Sequence, residues 1–488
     1  MTATLSPRHR CWLLVFAASC NQNGIAPPSV PVAAHSPLAD DVVASVRVSK
    51  VEVPVAFNVP YAGAAKLEFA DGLPLSIGSG LRLQPRAGSR CLSEREANSG
   101  YRLLALSDRG PNADAPNVVD RAGVSRGSKS FLAVDFAPQL VTIDVNFQSG
   151  ARVGSVVPLR SGDAKAVGLP PVSLTTELAL SESLTILPSS SAGIDPEGLD
   201  FDAQGKVWLC EEYGPSLLRV EPETGEIVAR LTPGSGLPRV LANRQVNRGC
   251  EGVAVTPSGK VYGILQSTMD VAGQTKASAQ FIRLFEYDPT TQKTRLFGYP
   301  HDVSAYKTSA DAKMGDLIAL DDTRFLTIEE GKDKNGKLRN IVYEFDLSGA
   351  SDLSGVVLTS GPNAGKDLEF ATSAELTSQV RLGAKTRVLD LRAYGFTAEK
   401  AEGLALLDER TLVVINDNDF GVGGVIEGDA SGGTDPAKYA VNEAGALTFC
   451  GAPSAGAYEI HALPSEVQET SLFIVQLRRA FASYCGRE

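Results

Sequence analysis

Short runs of alternating apolar and polar residues, each broken by a turn, recur along this sequence. The first run covers residues 195–213 and consists of an acidic start, a short apolar strand, a turn at Gly205 and a second apolar strand. Alternation interrupted by glycine is typical of a β-hairpin. The same layout returns at 250–264 and 401–415, and in a weaker form at 314–328. The repeated layout indicates that the chain contains several copies of one β-hairpin.

The spacing of these copies indicates the fold class. A Glu-Gly pair opens three of the copies, and the second glutamate, Glu251, follows the first, Glu197, by 54 positions (251 − 197). The next interval, to Glu402, is 151 positions (402 − 251), which leaves room for the weak copy and for loops of uneven length. Repeats of short strands with variable surface loops favour a β-propeller. We expect an all-β fold, a β-propeller, with six blades favoured over seven.

Further strands are predicted outside the hairpin copies. Alternation or β-rich composition marks residues 42–59, 81–83, 101–106, 139–147, 341–347, 385–391 and 471–477. The last of these is long enough to close a blade together with the N-terminal strand. Residues 421–439 are rich in glycine and polar residues and are expected to form a long loop. Residues 170–187 fit either strand and loop or a short helix.

Composition narrows the choice of partners. The chain has 488 residues, of which 43% are hydrophobic and 21% charged, a balance that supports a globular core. Its formal net charge is −11. An acidic protein is poorly suited to bind a phosphate backbone, so nucleic acid is excluded as a partner. The same charge is compatible with a metal cation. The charge says little about small ligands, and we expect a monomer.

The N-terminus has the features of an export signal. Arg8 and Arg10 precede a short apolar stretch at 11–18, which is too short to span a bilayer. Residues 16–20 resemble a bacterial lipoprotein box in which Cys20 becomes lipidated. The predicted domains are a signal peptide at 1–19, a flexible tether at 20–40 and one β-propeller domain at 41–488. Periplasmic or cell-surface lipoprotein is one expectation, and plain secretion is the other.

The positions of the cysteines and histidines do not indicate a zinc site. After removal of the signal, five cysteines remain besides Cys20, at 91, 210, 250, 450 and 485. Bridges between Cys210 and Cys250 and between Cys450 and Cys485 are plausible, and buried free thiols are the alternative. The sequence contains no CxxC motif, and the histidines at 9, 35, 301 and 461 do not follow a zinc-ligand spacing. Zinc is not expected.

Six short motifs, taken in order, carry a family resemblance. They are Ser107-Asp-Arg-Gly-Pro-Asn112, Asp195-Pro-Glu-Gly198, Cys210-Glu-Glu-Tyr213, Asn247-Arg-Gly-Cys-Glu-Gly252, Ala401-Glu-Gly403 and Asn416-Asp-Asn-Asp-Phe-Gly421. Together they resemble the phytase-like family, described as esterase-like activity of phytase, over roughly residues 60–480. The resemblance implies a β-propeller related to the alkaline phytases, which are calcium-dependent and hydrolyse phosphomonoesters in a charged central basin.

The repeated glutamates predict a cation site. In a propeller the inner strand of each blade meets the central channel, so strand-start carboxylates come together. The candidate metal ligands are Asp195, Glu197, Glu251, Glu402 and Asp417. Crowded carboxylates persist at neutral pH only when a cation or arginine neutralises them or when some stay protonated. Hard oxygen ligands favour Ca²⁺ over transition metals. An architectural role for the Glu-Gly pairs, through hydrogen bonds to neighbouring blades, is the open alternative.

Candidate catalytic residues come from the same strand ends. They are Asp108, Arg109, Glu211, Glu212 and Arg248. Arginine can hold an anionic substrate through two hydrogen bonds, and Arg244 is a further candidate for this role. A turn-capping role for Asp108 remains the alternative. The Gly-x-Ser-x-Gly match at 123–127 lacks the strand-turn-helix setting of a nucleophile elbow and is attributed to chance.

The functional hypothesis is an exported, Ca²⁺-dependent hydrolase of phosphate or carboxylate esters that acts at an acidic central site. A bound Ca²⁺ could polarise the substrate oxygen and lower the pKa of a water molecule. Two alternatives remain at this stage. One is a propeller lactonase with a similar acidic centre, and the other is a non-catalytic surface lipoprotein that binds a ligand or a partner.

Overall fold

Five four-stranded antiparallel sheets arranged around one axis form the body of the protein. The computed structural model describes residues 42–485 apart from 85–88, 93–98, 147–148, 173–175, 430–431, 443–444 and 482–483. The predicted signal peptide and tether, including Cys20, lie outside the described residues. The all-β propeller predicted from the hairpin copies is therefore confirmed.

The strands alternate with short loops, and the described helices are few and short. In chain order the strands are β1 (Val43–Glu52), β2 (Gly80–Leu83), β3 (Tyr101–Leu106), β4 (Asn112–Asp114), β5 (Asn117–Val119), β6 (Ser125–Arg126), β7 (Ser128–Phe131), β8 (Gln139–Asn146), β9 (Gly150–Pro158), β10 (Arg160–Ser161), β11 (Ala164–Lys165), β12 (Leu178–Leu180), β13 (Pro196–Phe201), β14 (Val207–Glu211), β15 (Ser216–Glu221), β16 (Glu226–Pro233), β17 (Gly236–Leu237), β18 (Cys250–Val255), β19 (Val261–Leu265), β20 (Ile282–Asp288), β21 (Lys293–Tyr299), β22 (Lys313–Ala319), β23 (Arg324–Lys332), β24 (Leu338–Asp346), β25 (Ala384–Asp390), β26 (Gly403–Leu406), β27 (Thr411–Ile415), β28 (Val422–Glu427), β29 (Tyr439–Asn442), β30 (Leu447–Phe449), β31 (Ala452–Pro453), β32 (Ala457–Ala462) and β33 (Ser471–Leu477). The α-helices are α1 (Ser373–Gln379) and α2 (Ser465–Gln468). Single 3₁₀ turns occur at Val55–Phe57, Arg239–Asn243, Val271–Gly273, Val303–Ala305, Ser309–Asp311, Leu368–Phe370, Leu391–Tyr394, Asp419–Gly421 and Pro436–Lys438.

Each blade begins with its inner strand and proceeds outward. Blade 1 is β2-β3-β8-β9, blade 2 is β13-β14-β15-β16, blade 3 is β18-β19-β20-β21, blade 4 is β22-β23-β24-β25, and blade 5 is β26-β27-β33-β1. The inner strands β2, β13, β18, β22 and β26 lie side by side in this order, and β26 lies next to β2 again. The ring of blades is therefore closed.

Blade 5 joins the two ends of the chain. The N-terminal β1 pairs antiparallel with the C-terminal β33, for example at Val46 and Val475. The prediction that residues 471–477 close a blade with an N-terminal strand is confirmed. Because this strand pair links distant parts of the sequence, it closes the ring without any covalent bond.

The expected number of blades, six rather than seven, is wrong for the described residues, which contain five. The weak copy at 314–328 supplies the inner hairpin of blade 4. The extra length lies in insertions after β3 and after β27, whose strands form small separate sheets. These insertions meet where β29 pairs in parallel with β5. The strands of these insertions lie outside the ring and do not form a sixth blade.

The glycine-rich segment at 421–439 is only partly a loop. Residues Val422–Glu427 form β28, because this strand pairs with β32, more than thirty residues later in the chain. Such long-range pairing supplies backbone hydrogen bonds that local composition does not reveal. Residues 170–187 contain the short strand β12 and loops in their described part, rather than a helix.

Glycine at the start of every inner strand allows neighbouring blades to approach closely. A Cβ atom on Gly198 would lie 2.7 Å from the carbonyl oxygen of Glu251, and one on Gly252 would lie 2.7 Å from the amide nitrogen of Leu317. The same crowding continues around the ring at Gly80 (3.2 Å to the Cα of Gly198), Gly315 (2.9 Å to the oxygen of Ala401) and Gly403 (3.1 Å to the oxygen of Gly78). The glycine of each Glu-Gly pair is therefore required by packing.

Arg82, on blade 1, fills the middle of the channel and contacts all four of the remaining blades. Its guanidinium lies 2.6 Å from Asp316 and 3.4 Å from Asp200. It also donates hydrogen bonds to the backbone carbonyls of Val253, Leu317 and Leu404. Buried charges require such partners, because desolvation without them is costly.

The end of the channel below Arg82 is closed as well. Arg90 donates to the carbonyl oxygens of Val255 and Ala319, at 3.3 and 3.2 Å, and lies over the ring of Tyr484. A disulfide between Cys91 and Cys485 fixes the two segments that carry these side chains. Within the described part of the chain, these side chains close the channel at this end, which is opposite to the end where the inner strands begin.

The cysteine pairing differs from both predicted bridges. Cys485 bonds to Cys91, so the Cys450–Cys485 bridge is wrong. Cys210 and Cys250 are buried free thiols, which corresponds to the alternative stated for them. The bonded pair is separated by 394 positions, and only closure of the ring brings its members together.

Apolar side chains fill the spaces between adjacent sheets. One cluster joins blades 1 and 2 through Leu104 and Leu209, and another joins blades 3 and 4 through Phe285 and Phe325. Comparable clusters lie between blades 1 and 5 and between blades 4 and 5. This packing holds the inner strands rigidly and thereby fixes the side chains at their ends.

The close approach of the inner strands can be tested with Gly198→Ala. The added methyl group would meet the backbone of blade 3, so we expect a loss of about 1–3 kcal/mol in the free energy of unfolding. The measurement is urea-induced unfolding followed by fluorescence. Gly349→Ala is the matched control, because a Cβ there meets nothing within 4 Å. Equal stability of the two variants would contradict the proposed packing role.

Candidate functional site

Two tiers of side chains surround the end of the channel where the inner strands begin. The first tier precedes the inner-strand glycines and consists of Ser79, Glu197, Glu251, Met314 and Glu402. The second tier lies at or just after the end of the second strand of each blade and consists of Asp108, Glu212, Gln266, Glu330 and Asp417, of which Glu330 is still within β23. Since inner and second strands pair antiparallel, the start of one and the end of the other meet at the same edge. Seven of these ten side chains are carboxylates.

The structure brings the three repeated glutamates together. Glu197, Glu251 and Glu402 each offer one carboxylate oxygen, and these oxygens lie within 4.8 Å of one another. Asp108 and Asp195 form a second such group that also includes Glu197. All five side chains are buried. Residues that are up to 294 positions apart in sequence (402 − 108) thus share one small volume.

Several carboxylate oxygens in this volume have no hydrogen-bond donor among the described residues. Oε1 of Glu212 is buried and accepts no hydrogen bond, and Oδ2 of Asp195 accepts none either but lies 3.4 Å from the guanidinium of Arg109. Glu251 accepts one from Nε2 of Gln266 at 2.9 Å. Buried polar atoms are nearly always satisfied, so orphaned oxygens in a polar site indicate an additional bound species.

The crowding is visible in the pKa values. Burial and the neighbouring Asp195 and Glu251 raise the pKa of Glu197 well above its ordinary range. Burial and nearby carboxylates act in the same direction on the pKa values of Glu251, Glu402 and Asp108. For Glu212, burial and Asp195 raise the pKa to about 8. Without a cation, these groups would therefore hold protons at neutral pH.

Asp417 differs from the other carboxylates because it has a cationic partner. Its Oδ2 lies 2.7 Å from Nζ of Lys400, and its Oδ1 accepts a hydrogen bond from the Ser76 hydroxyl at 2.5 Å. Although burial opposes ionisation, Lys400 and these hydrogen bonds lower the pKa of Asp417 to about 2. Lys400 also lies 2.7 Å from Asp419 and 3.7 Å from Glu402.

Arg109 is held firmly at the side of the acidic cluster. Its backbone nitrogen donates to Oδ1 of Asp195 at 3.0 Å, and its guanidinium lies 3.4 Å from Oδ2 of the same residue. The guanidinium also contacts Glu177 at 3.4 Å and donates to Oδ1 of Asn247. With these partners, Arg109 orients Asp195 and has little capacity left for a substrate.

Glu211 is fully occupied within its own hairpin. It accepts hydrogen bonds from the backbone nitrogens of Asp195, Tyr213 and Gly214 and from the Ser216 hydroxyl at 2.7 Å. Its side chain is completely buried. The structure therefore assigns Glu211 to the architecture of the turn and removes it from the candidate catalytic set.

Asp108 combines the two roles considered from the sequence. Its Oδ1 accepts a hydrogen bond from the backbone nitrogen of Gly110 at 2.9 Å, which is the turn-capping arrangement. It also belongs to the group with Asp195 and Glu197. Its position is thus fixed by the turn while its charge faces the cluster.

A basic rim borders the acidic cluster. Arg248, Lys313 and Lys400 line a cavity of about 240 Å³ together with Glu330 and Asp311. Arg248 is anchored by a hydrogen bond from Nη1 to the carbonyl oxygen of Ala310 at 2.6 Å. Burial lowers the pKa of Arg248, and the carboxylates of Glu212 and Glu251 act in the opposite direction.

A larger cavity lies apart from this rim. It has a volume of about 830 Å³ and is lined by Arg244 among mostly apolar and small residues. Arg244 donates to the carbonyl oxygen of Tyr213 at 2.8 Å and so stabilises the loop that follows Glu212. We assign Arg244 to this loop and not to substrate binding.

Sequence reasoning overlooked Lys313, Lys400 and Ser76. Lys400 stands two positions before Glu402, and Lys313 stands two positions before Gly315 of the weak copy. Lys400 is three positions before its glycine, Gly403, and Lys313 is two before Gly315, so the two lysines do not share one position of the repeat and leave no common signal. Ser76 has no signal either, because it lies in a loop that precedes β2.

Comparison with known proteins identifies the family. The sequence model for the phytase-like family, described as esterase-like activity of phytase, matches residues 91–420, which is more than half of the chain. The chain belongs to the phytase-like family. No curated protein matches it significantly.

Solved structures similar to this phytase-like chain are distant. A gluconolactonase from Xanthomonas campestris is 9% identical, with 83% of this chain and 98% of that chain covered and a TM-score of 0.26. An α-L-arabinofuranosidase from Podospora anserina is 8% identical, with 89% and 98% covered and a TM-score of 0.33. A luciferin-regenerating enzyme is 9% identical, with 91% and 100% covered and a TM-score of 0.30. These likenesses carry no argument about activity.

The phytase-like chain also lacks, within its described residues, a helix that is both long and apolar enough to cross a bilayer.

The raised pKa values predict that the calcium-free protein loses stability as the pH rises. The folded state keeps a proton on Glu212 up to about pH 8, whereas the unfolded chain releases it near the ordinary value of 4.5. The stability contributed by this proton is complete below about pH 4.5 and is lost as the pH rises through about 8. We expect the melting temperature in EGTA to fall over this window, and added calcium to reverse the fall at the alkaline end.

Glu212→Gln is the matched variant for this measurement, because it removes the titrating group and keeps the size of the side chain. Its melting temperature in EGTA should depend less on pH. A melting temperature of the wild-type protein that is flat between about pH 5 and pH 9 and insensitive to calcium would contradict the electrostatic account.

Proposed function

We propose that this phytase-like propeller is an exported, calcium-dependent hydrolase of ester bonds, and that phosphomonoesters are its preferred substrates. The observation that carries the proposal is the buried cluster of Glu197, Glu251 and Glu402 at one end of the channel, next to a cavity whose lining includes Arg248, Lys313 and Lys400. A cation at the floor and lysine or arginine at the rim can hold a phosphate group from two sides.

The donor set fits calcium. The oxygens of Glu197, Glu251 and Glu402 are close enough to share one ion, and no nitrogen or sulfur ligand is part of the group. Ca²⁺ takes six to eight oxygen ligands, whereas transition metals favour imidazole or thiolate. Bound calcium would polarise the ester oxygen and acidify a water molecule.

The cationic side chains of the rim would bind the substrate. Arg248 and Lys313 are half-buried and border the cavity next to the acidic floor. Guanidinium and ammonium groups at this position favour a dianionic phosphate over a neutral carboxylate ester. Lys400 is already paired with Asp417 and neutralises part of the negative charge of the carboxylate cluster.

Glu212 is the candidate for proton transfer. In the metal-free protein, burial and Asp195 raise its pKa to about 8, and Glu212 is not one of the three glutamates that would share the cation, so it remains available to carry a proton. A group whose pKa lies near the working pH serves best as general acid or base. Arg109 acts as a positioning residue, since it fixes Asp195, which adjoins Glu212 in the cluster.

Export is part of the proposal. The N-terminal sequence has the features of a signal peptide, with lipidation at Cys20 as the expected anchor. The disulfide between Cys91 and Cys485 supports this assignment, because such bonds persist in oxidising compartments.

The activity can be tested with p-nitrophenyl phosphate, p-nitrophenyl acetate and a lactone, each assayed in calcium and in EGTA. We expect turnover of the phosphate ester in calcium and its loss in EGTA. Glu251→Gln should lower kcat/KM by about 100-fold or more, because it removes one cation ligand and leaves a buried amide in its place. Glu223→Gln, an exposed glutamate on blade 2, is the matched control and should be silent.

Three results would contradict parts of this proposal. Phosphatase activity that survives EGTA would remove calcium from the mechanism. Turnover of the lactone or the acetate ester without turnover of the phosphate would replace the preferred substrate. Calcium binding without turnover of any of the three would favour a non-catalytic ligand-binding protein.

A further inference from the structure

A second cluster of metal-ligating side chains lies on the insertion sheet, apart from the central channel. Glu459 and His461 are two positions apart on β32 and therefore project from the same face of that strand. Glu427 lies at the end of the neighbouring strand β28. The ligand atoms of these three residues lie within 4.8 Å of one another.

We propose that Glu427, Glu459 and His461 form a binding site for a zinc-type divalent ion. Nε2 of His461 lies 3.4 Å from Oε1 of Glu427 and 3.7 Å from Oε2 of Glu459. Bonds of 2.0–2.2 Å to a tetrahedral zinc ion place neighbouring ligand atoms about 3.4 Å apart. The two nitrogen-to-oxygen separations already match this spacing.

The second ring nitrogen of His461 is bound in the way that metal-ligating histidines require. Nδ1 lies 3.0 Å from Oε1 of Glu68, and the other oxygen of Glu68 accepts a hydrogen bond from the backbone nitrogen of Ala462 at 2.8 Å. The carboxylate is thereby anchored on both sides. A carboxylate on one ring nitrogen fixes the tautomer and directs the lone pair of the other nitrogen toward the metal.

Nε2 itself has no hydrogen-bond partner among the described residues, although it is shielded from solvent. The His461 side chain is partly exposed and the two glutamates are exposed, but Nε2 itself is shielded and faces their carboxylate oxygens without a hydrogen bond, which is the arrangement that an ion would complete. The imidazole selects a first-row transition metal over calcium, which prefers oxygen ligands only. This site is therefore chemically distinct from the acidic floor of the channel.

Three protein ligands leave one tetrahedral position open. A cavity of about 370 Å³ adjoins the cluster and is lined by Glu68, Glu182, Glu459 and His461. The open position can hold water or a small ligand from this cavity. The ion would join β28 to β32 and, through Glu68, to the segment that precedes β2.

The test is calorimetric titration of the protein with zinc after removal of metal with EDTA, in buffer with saturating calcium so that the channel floor is occupied. We expect one zinc site that is weakened about 100-fold or more in His461→Asn and about 10–100-fold in Glu68→Gln. Glu466→Gln, an exposed glutamate nearby on α2, is the matched control and should bind zinc as the wild-type protein does.

A second readout identifies the ligand. Electron spin echo spectra of the copper-loaded protein should show the nitrogen modulation of one bound imidazole, and His461→Asn should abolish it. Equal zinc affinity of the wild-type protein and His461→Asn, or the absence of any imidazole signal, would overturn the proposal. In that case the three side chains form polar contacts with one another and hold no metal ion.

Discussion

The contacts of one buried guanidinium determine how the five blades meet. Arg82 belongs to blade 1, and it binds carboxylates or backbone carbonyls of blades 2, 3, 4 and 5. Breaking a buried ion pair of this kind costs on the order of 3–5 kcal/mol, because the remaining charge stays uncompensated. The glycines at the strand starts allow the backbones to come close enough for a single side chain to reach all of them. Arg82 therefore separates the two ends of the channel from each other.

The carboxylates collect at the end of the channel where the inner strands begin, because the strand ends that carry them meet there. Rigid inner strands present Glu197, Glu251 and Glu402 to one point, and the adjoining strand ends add Asp108 and Glu212. Repulsion among these groups is offset locally where a cation is present, as between Lys400 and Asp417. Elsewhere it remains as raised pKa values. Such stored repulsion favours the binding of a cation, and under the proposed function the positive side chains of the rim would attract an anionic substrate.

The sequence predicts the fold class and the meeting of the repeated glutamates, because both follow from a hairpin pattern that is visible locally. Other features depend on closure of the ring and have no local signal. Arg82 reads as an ordinary exposed arginine on a short strand, and the partners Cys91 and Cys485 are 394 positions apart. The number of blades was misjudged because insertions after β3 and β27 contain strands of their own. His461 follows no zinc spacing in sequence, since its proposed co-ligand Glu427 lies on the paired strand.

The most direct test of the calcium centre is anomalous scattering from crystals of the protein grown in calcium. The account predicts one strong anomalous peak bounded by the carboxylates of Glu197, Glu251 and Glu402. Calcium-saturated crystals that diffract well and show no peak among these three side chains would contradict it.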